Sequence, residues 1–263
     1  MKRIISLLLL SGFLAAINTS CKKKESYSNI NVEQKHNPEA HNILTPGMGT
    51  IGIIHDSVIN VYFLNEHRVW ILDKVSSFII PKGNEGIIGV GLGHIGVIKD
   101  GIMNFYRLDA RNLWVKEKDL LFVMPQQYDR IMVVNYPWEI GVIGIEADNQ
   151  VEFFYLDGNI WRKDETATFQ VPDNIDDYFS IGSMNIAVVQ DNFVSFFSLT
   201  ESEGWKYHEN YFLRLPAKHD ALISYEQNVV GVLADGVIRF HEVEFFDPLW
   251  ILDESMNFHV PKH

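Results

Sequence analysis

Cysteine is almost absent from this chain, which has one, Cys21, among its 263 residues. A single cysteine excludes an internal disulfide and a metal site built from several thiolates. The ten histidines are scattered along the chain rather than arranged as a zinc motif. We therefore expect no metal centre and no cofactor. Stability must come from burial, which suits a chain that is 47% hydrophobic and 13% aromatic.

Basic residues are scarce once the N-terminus is set aside. The first 24 residues hold five of the 22 basic residues and none of the 34 acidic ones. The rest of the chain therefore carries 17 basic and 34 acidic residues, a net charge of −17. Such a strongly acidic chain argues against nucleic acid as a partner, because nucleic-acid binding depends on contacts from Lys and Arg to phosphate. It also argues against a body that lies flat on an anionic lipid surface.

The N-terminus carries an apolar run from Ile4 to Ile17, preceded by Lys2 and Arg3. The run is shorter than the roughly 20 residues that span a bilayer, and it is typical of a signal peptide. A small residue then directly precedes the cysteine, in the sequence Asn-Thr-Ser-Cys that ends at Cys21. In this arrangement the N-terminus resembles that of bacterial lipoproteins.

The resemblance implies that residues 1–20 are a lipoprotein signal peptide and that Cys21 is diacylated. Two acyl chains are enough for stable anchoring in a membrane. Lys22, rather than Asp, follows the cysteine, which by the same resemblance implies the outer membrane and leaves open which face. The alternative is a secreted protein with an unmodified cysteine. Residues 21–37 are polar and lack a period, so we expect a lipidated cysteine with a flexible tether there and one folded domain over residues 38–263.

The rest of the chain is built from five copies of one pattern. A tryptophan is followed eight residues later by Phe or Leu and eleven residues later by Pro. Successive tryptophans are 44, 47, 44 and 45 residues apart. A period in this range indicates a repeat architecture. The five sets are Trp70/Phe78/Pro81, Trp114/Phe122/Pro125, Trp161/Phe169/Pro172, Trp205/Leu213/Pro216 and Trp250/Phe258/Pro261.

Each repeat predicts four short strands. An Asp begins a tight turn in every copy, as in Asp100-Gly101, and Asp-Gly between apolar stretches is a strong hairpin signal. No amphipathic helical period appears after Cys21. Four-stranded units of about 45 residues predict an all-β fold, a five-bladed β-propeller. The alternative is an open solenoid of stacked hairpins, but a solenoid needs atypical capping repeats at its ends. In architecture the chain looks like five-bladed propellers, a group that includes lectins and glycosidases.

One polar position recurs four residues after the Pro that ends each repeat. If each acid precedes the strand that lines the central channel, the carboxylates form a ring at one end of it. Such a ring could hold Ca²⁺ or a cationic or hydroxyl-rich ligand. The alternative is that each acid accepts backbone hydrogen bonds within its own loop. The members are Glu85, Asp129, Asp176 and Asp220, with Asn42 at the equivalent place in the first repeat.

Two further candidates lie in loops that vary between repeats, where binding specificity usually resides. Trp138 is the one tryptophan outside the repeat, and Phe245 and Phe246 stand in the loop of the fifth unit. Each could form part of a partner-binding surface, and Trp138 could also serve as a platform for a sugar. The alternative for Trp138 is a packing role at a blade edge.

Together these features predict a membrane-anchored, non-catalytic binding module that meets a protein partner in the cell envelope. A carbohydrate-binding propeller is the first alternative. A glycoside hydrolase is the second, but it needs two carboxylates in different environments, and the recurring acids are near-equivalent by repeat. We therefore predict that the chain is not an enzyme. The positions of the five tryptophans distinguish the first two hypotheses. Tryptophans that pack between the sheets favour a protein-binding scaffold, whereas tryptophans that lie in open pockets favour a lectin.

Overall fold

The computed structural model describes residues 43–261, except 48, 92, 135–140, 183, 201, 227 and 245–248. Twenty β-strands and no helix occupy the described residues, and they therefore contain no helix long and apolar enough to cross a membrane. The strands form five separate four-stranded sheets, each antiparallel and in chain order from the first strand to the last. The all-β, five-bladed β-propeller predicted from the repeat is confirmed.

Each sheet corresponds to one blade. Blade 1 contains β1 (Ile43–Gly47), β2 (Thr50–His55), β3 (Val58–Leu64) and β4 (Trp70–Ile79). Blade 2 contains β5 (Gly86–Gly89), β6 (His94–Lys99), β7 (Ile102–Leu108) and β8 (Trp114–Val123). Blade 3 contains β9 (Arg130–Val134), β10 (Val142–Ala147), β11 (Gln150–Asp157) and β12 (Ile160–Gln170). Blade 4 contains β13 (Asp177–Ser180), β14 (Asn185–Gln190), β15 (Phe193–Thr200) and β16 (Gly204–Arg214). Blade 5 contains β17 (Ala221–Glu226), β18 (Val229–Ala234), β19 (Val237–Glu244) and β20 (Leu249–His259).

The recurring aspartates form the hairpin turns between the second and third strands of the blades. Asp56 and Ser57 have φ angles of 48° and 66°, and Asp100 and Gly101 have 52° and 72°. Positive φ at both central residues defines the tight turn that matches the twist of antiparallel strands. The sequence Asp-Gly, Asp-Ser or Asp-Asn therefore sets the register of each hairpin and has a local structural reason to recur.

The recurring tryptophans join neighbouring blades. The indole Nε1 of Trp114 donates to the backbone oxygen of Ser76 in the outer strand of blade 1, at 2.7 Å. Trp205 donates in the same way to Ala167 of blade 3, at 3.0 Å. Trp70 donates to Met256 of blade 5, at 2.8 Å. This last bond joins the first blade to the last, so the described structure is a closed ring rather than an open solenoid.

Each indole also packs against aromatic rings of the preceding blade. The ring of Trp70 stacks on Phe240 at 5.9 Å and meets Phe258 edge-on at 5.3 Å. Trp161 is held in the same way by Phe105 at 5.5 Å and Phe122 at 5.7 Å. Edge-on and offset pairs at these distances contribute about 0.5–1.5 kcal/mol each beyond the area they bury. The tryptophans thus pack between sheets, as the binding-scaffold interpretation requires.

Candidate functional site

Two of the acids at the recurring position, Glu85 and Asp176, accept hydrogen bonds from the hairpin turn of their own blade. Asp100 donates its backbone N–H to Oε1 of Glu85 at 3.0 Å, and Asp191 donates to Oδ2 of Asp176 at 3.0 Å. These bonds tie the segment before a blade's first strand to that blade's hairpin turn. For Glu85 and Asp176 this is the alternative role considered above, in which the acid accepts a backbone hydrogen bond.

The four acids do not meet at a metal centre. Among the described residues, no group of three or more His, Cys, Asp or Glu side chains is arranged to hold a metal ion. The proposed ring of Glu85, Asp129, Asp176 and Asp220 stays a prediction, now with local hydrogen bonds for two of its carboxylates. The other candidates, namely Cys21, Asn42, Trp138, Phe245 and Phe246, lie outside the described residues.

The structure instead brings together a set of residues that break the repeat. Arg130 and Asp177 are the first residues of β9 and β13, and they occupy the same repeat position in neighbouring blades. Glu146 lies in β10 and Tyr178 in β13. At the corresponding positions the other blades have small or aliphatic residues. The equivalents of Arg130 and Asp177 are Ile43, Gly86 and Ala221, those of Glu146 are Ile54, Ile98, Val189 and Leu233, and those of Tyr178 are Leu44, Ile87, Ile131 and Leu222.

Arg130 is the centre of this group, which we call the Arg130 cluster (Arg130, Glu146, Asp177 and Tyr178). It is 5% exposed. Its Nη2 lies 2.6 Å from Oδ1 of Asp177, and its Nε lies 3.8 Å from Oε2 of Glu146. Nη1 donates to the backbone oxygen of Tyr178 at 2.5 Å. The guanidinium carbon also lies 4.5 Å from the centre of the Tyr178 ring, in a cation–π contact.

The electrostatics of the Arg130 cluster keep its guanidinium charged and its phenol neutral. Burial acts to lower the pKa of Arg130, but Asp177, Tyr178 and Glu146 outweigh it and raise that pKa above its ordinary value. Burial, and then the neighbouring Glu146 carboxylate, raises the pKa of Tyr178 well above its ordinary value. The Tyr178 hydroxyl is buried and has no hydrogen-bond partner among the described residues. Such groups are costly, so each one needs a reason.

A cavity of about 220 Å³ adjoins the Arg130 cluster at the junction of blades 3 and 4. Its remaining wall consists of Asn149, in the turn between β10 and β11, and residues 171–176, which link β12 to β13. Four acidic residues are among those that line it, together with one arginine: Glu146, Asp173, Asp176, Asp177 and Arg130. We call this cavity the blade 3–4 cleft. It is smaller than the roughly 300–1,000 Å³ of typical small-molecule pockets.

The sequence contained a signal for this site that the repeat analysis missed. Asp176 recurs in the repeat and is therefore conspicuous in the sequence, whereas Asp177 beside it occurs at its position only once. The informative residues are those that depart from an aliphatic repeat position, because an isolated charge on an inner strand must be paired when it is buried. Four such departures fall on two consecutive repeats. That coincidence could have located the site without coordinates.

Comparison with known proteins finds similar solved structures at low sequence identity. No protein-family model and no curated protein sequence matches this chain. A putative 6-phosphogluconolactonase from Bacteroides fragilis is similar in structure, with 12% identity and a TM-score of 0.41 over 83% of this chain and 69% of that one. The lectin SapL1, in complex with alpha methyl fucoside, has 12% identity and a TM-score of 0.43 over 80% and 77%. Hsv2 from Kluyveromyces lactis has 11% identity and a TM-score of 0.42 over 79% and 59%. At these identities the likeness extends to the fold alone.

The prediction that this chain is not an enzyme is wrong as it was drawn. Structures similar to this chain include two named as putative 6-phosphogluconolactonases, from Bacteroides fragilis and from Bacteroides uniformis. The supporting argument also fails, because it held that no acid stands apart from the repeat. Glu146 and Asp177 do stand apart, and both lie beside Arg130.

Proposed function

We propose that this chain is a lipid-anchored β-propeller of the bacterial outer membrane that binds an envelope protein through the blade 3–4 cleft. The observation that carries the proposal is the Arg130 cluster. Four positions that are small or aliphatic elsewhere become charged or phenolic at one junction and line one cavity. A ring whose other junctions close without such residues does not need them for its fold, so we infer that they serve recognition.

The repeated tryptophans favour one site over five. A lectin with a sugar site on every blade needs recurring exposed aromatic rings. Here the indoles of Trp70, Trp114 and Trp205 donate their N–H groups to neighbouring blades. Their rings are also engaged with the phenylalanines of the preceding blade. A single asymmetric cleft suits a specific partner better than repeated shallow binding.

The membrane anchor belongs to this proposal and is supported by the N-terminal sequence. Cys21 follows an apolar run and a small residue, as in bacterial lipoproteins. Substitution of Cys21 by Ser removes the thiol that would be acylated. We expect this variant to move from the membrane fraction to the soluble fraction, and mass spectrometry of the mature N-terminal peptide to lose two or more acyl chains. An unmodified Cys21 in the membrane-bound protein would contradict the anchor.

The binding role is tested by affinity capture of the full-length lipidated protein from native envelopes. The captured proteins are identified by mass spectrometry and compared with those of Asp173→Asn, which neutralises an exposed acid of the cleft. Gln126→Lys is the matched control, because Gln126 is the equivalent exposed residue of the blade 2–3 linker and the change has the same charge sign. We expect one stoichiometric partner that Asp173→Asn depletes and Gln126→Lys retains. Solitary recovery of the native protein would overturn the proposal.

A carbohydrate is the second candidate ligand of the cleft. Asn149, Asp173 and Asn174 line it, and amide and carboxylate groups of this kind can bind sugar hydroxyls. A glycan array probed with the purified native protein tests this candidate. Binding that Asp173→Asn abolishes would replace the protein partner by a sugar.

A further inference from the structure

We propose that the blade 3–4 cleft receives one basic side chain, a lysine or an arginine of the protein partner. This inference rests on the proposed function and names the chemistry of the group recognised there. It follows from three properties of the cleft: the sign of its charge, the kind of hydrogen-bonding groups it offers and its size.

The charge of the cleft is strongly negative. Four acidic residues surround it, and Arg130 is the one basic residue among those that line it. Arg130 is already paired with Asp177 and lies close to Glu146, so its charge offsets theirs rather than attracting a ligand. Among the described residues, Asp173 forms no ion pair and is exposed on the linker between β12 and β13. An anionic ligand would meet uncompensated carboxylates, whereas a cation would be attracted.

The hydrogen-bonding groups of the cleft are mainly acceptors. Nη1, Nη2 and Nε of Arg130 are turned towards Tyr178, Asp177 and Glu146. Oδ1 of Asp177 accepts from Arg130 and from the backbone N–H of Tyr178 at 2.8 Å. No described residue donates to its second oxygen. A lysine ammonium presents three donors and an arginine guanidinium five, and neither presents an acceptor. Such a group matches this wall better than a ligand that needs donors as well.

The buried hydroxyl of Tyr178 can still accept a hydrogen bond. Tyr178 is 3% exposed and lines the cavity. Its hydroxyl lies against the Glu146 carboxylate, which helps to raise the pKa of Tyr178, and no described residue donates a hydrogen bond to it. The volume of about 220 Å³ suits one side chain rather than a larger ligand. A cationic group in the cleft would lie beside the Tyr178 side chain, whose hydroxyl can accept a hydrogen bond as well as donate one.

The test is a titration of the isotope-labelled full-length protein followed by NMR. The probes are N-acetyl-lysine methylamide and N-acetyl-arginine methylamide, with N-acetyl-norleucine methylamide as the uncharged analogue and methyl α-fucoside as the sugar. We expect saturable shifts of the amides of residues 173–178 with a cationic probe, at a midpoint on the order of 10 mM. The norleucine analogue should give none. The midpoint should rise several-fold between about 0.05 and 0.5 M NaCl, because salt screens exposed charges.

The linker variants make the test specific. Asp173→Asn should raise the midpoint for the cationic probe several-fold, and Gln126→Lys should leave it unchanged. Saturation by the sugar but not by the cationic probes overturns the inference and leaves the cleft as a ligand site. If neither cationic probe gives saturable shifts up to about 100 mM, the inference is wrong. The capture experiment tests the proposed function separately, because it shows whether Asp173→Asn depletes the partner.

Discussion

The junction between blades 5 and 1 and the junction between blades 3 and 4 are built from the same repeat but differ at their inner strands. At the first, Thr45 donates to the backbone oxygen of Ser224 at 2.7 Å, and the surrounding side chains are apolar. At the second, the equivalent positions form a buried ionic cluster beside a cavity. Apolar packing is therefore sufficient to join two blades. The residues that occupy the four positions are Ala221, Leu233, Ile43 and Leu44 at the first junction, and Arg130, Glu146, Asp177 and Tyr178 at the second.

The difference between these two junctions shows that the ionic residues of the blade 3–4 junction are not required to join two blades. A buried ion pair is weak evidence for stability, because removing two charges from water offsets most of their attraction. The ionic junction thus gains little stability over its apolar counterpart. Its presence at one junction out of five is what the proposed recognition role would explain, and substitutions at either junction test this.

The largest expected effect comes from removing the guanidinium alone. Arg130→Met leaves the carboxylates of Asp177 and Glu146 partly buried without their cation. Breaking one partner out of a buried pair typically costs about 3–5 kcal/mol. We expect the free energy of unfolding, measured by urea denaturation followed through tryptophan fluorescence, to fall by about that amount. Arg107→Met, at an exposed pair with Glu117, is the control and should cost about 1 kcal/mol or less. Equal effects of the two substitutions would show that Arg130 is not the centre of a buried pair.

Conversion of the whole junction to its apolar form should separate stability from binding. The variant carries Arg130→Ala, Glu146→Leu, Asp177→Ile and Tyr178→Leu, which reproduces the residues of the blade 5–1 junction. Replacing a buried ionic group by apolar residues is often neutral or stabilising. We expect unfolding within about 2 kcal/mol of the native protein, together with complete loss of the captured partner. A variant that is folded and still captures the partner would assign recognition to another surface.

The features that could be predicted from the sequence are those that recur in every repeat. The turn at Asp100-Gly101 and the Trp70/Phe78/Pro81 pattern recur five times, so the blade number, the strand order and the packing role of the tryptophans could be inferred from periodicity. The Arg130 cluster could not be found by the same method, because it occurs once. Its partners are distant in sequence, with Asp177 located 47 residues from Arg130, and only the closure of neighbouring blades brings them together. Two of the recurring acids, Glu85 and Asp176, accept hydrogen bonds from the hairpin turn of their own blade, which is a local reason for an acid at that position.

The indole hydrogen bonds allow a comparison of intermediate size between the blade 3–4 junction, where Trp205 lies, and the blade 4–5 junction, where Trp250 lies. The Nε1 of Trp205 donates to Ala167, whereas the Nε1 of Trp250 is buried with no partner among the described residues. Trp205→Phe removes a hydrogen bond and leaves a backbone oxygen unpaired, while Trp250→Phe removes an unpaired donor. Because an unpaired buried polar group costs about 1–3 kcal/mol, the first substitution should destabilise the protein more than the second by about 1–3 kcal/mol. Equal losses in urea denaturation would mean that the indole bonds add nothing to ring packing, or that Trp250 has a partner in solution.

The smallest expected effect concerns His241, which stands where the other four blades have Tyr or Phe, as at Tyr62. Burial, and then the nearby charge of Arg239, lowers the pKa of His241 below its ordinary value. The unfolded chain therefore binds a proton more readily than the folded one, and stability is lost as the pH falls from about 6.5 down through the lowered folded pKa. His241→Phe restores the aromatic residue of the repeat and removes this loss. We expect the melting temperatures of the native protein and the variant to diverge between pH 7.5 and 5 by a few degrees, with the variant more stable at acid pH. His67→Phe, at an exposed histidine, is the control, and its melting temperature should change with pH as that of the native protein does. If the melting temperature of His241→Phe also follows that of the native protein, the loss of stability at acid pH does not come from His241.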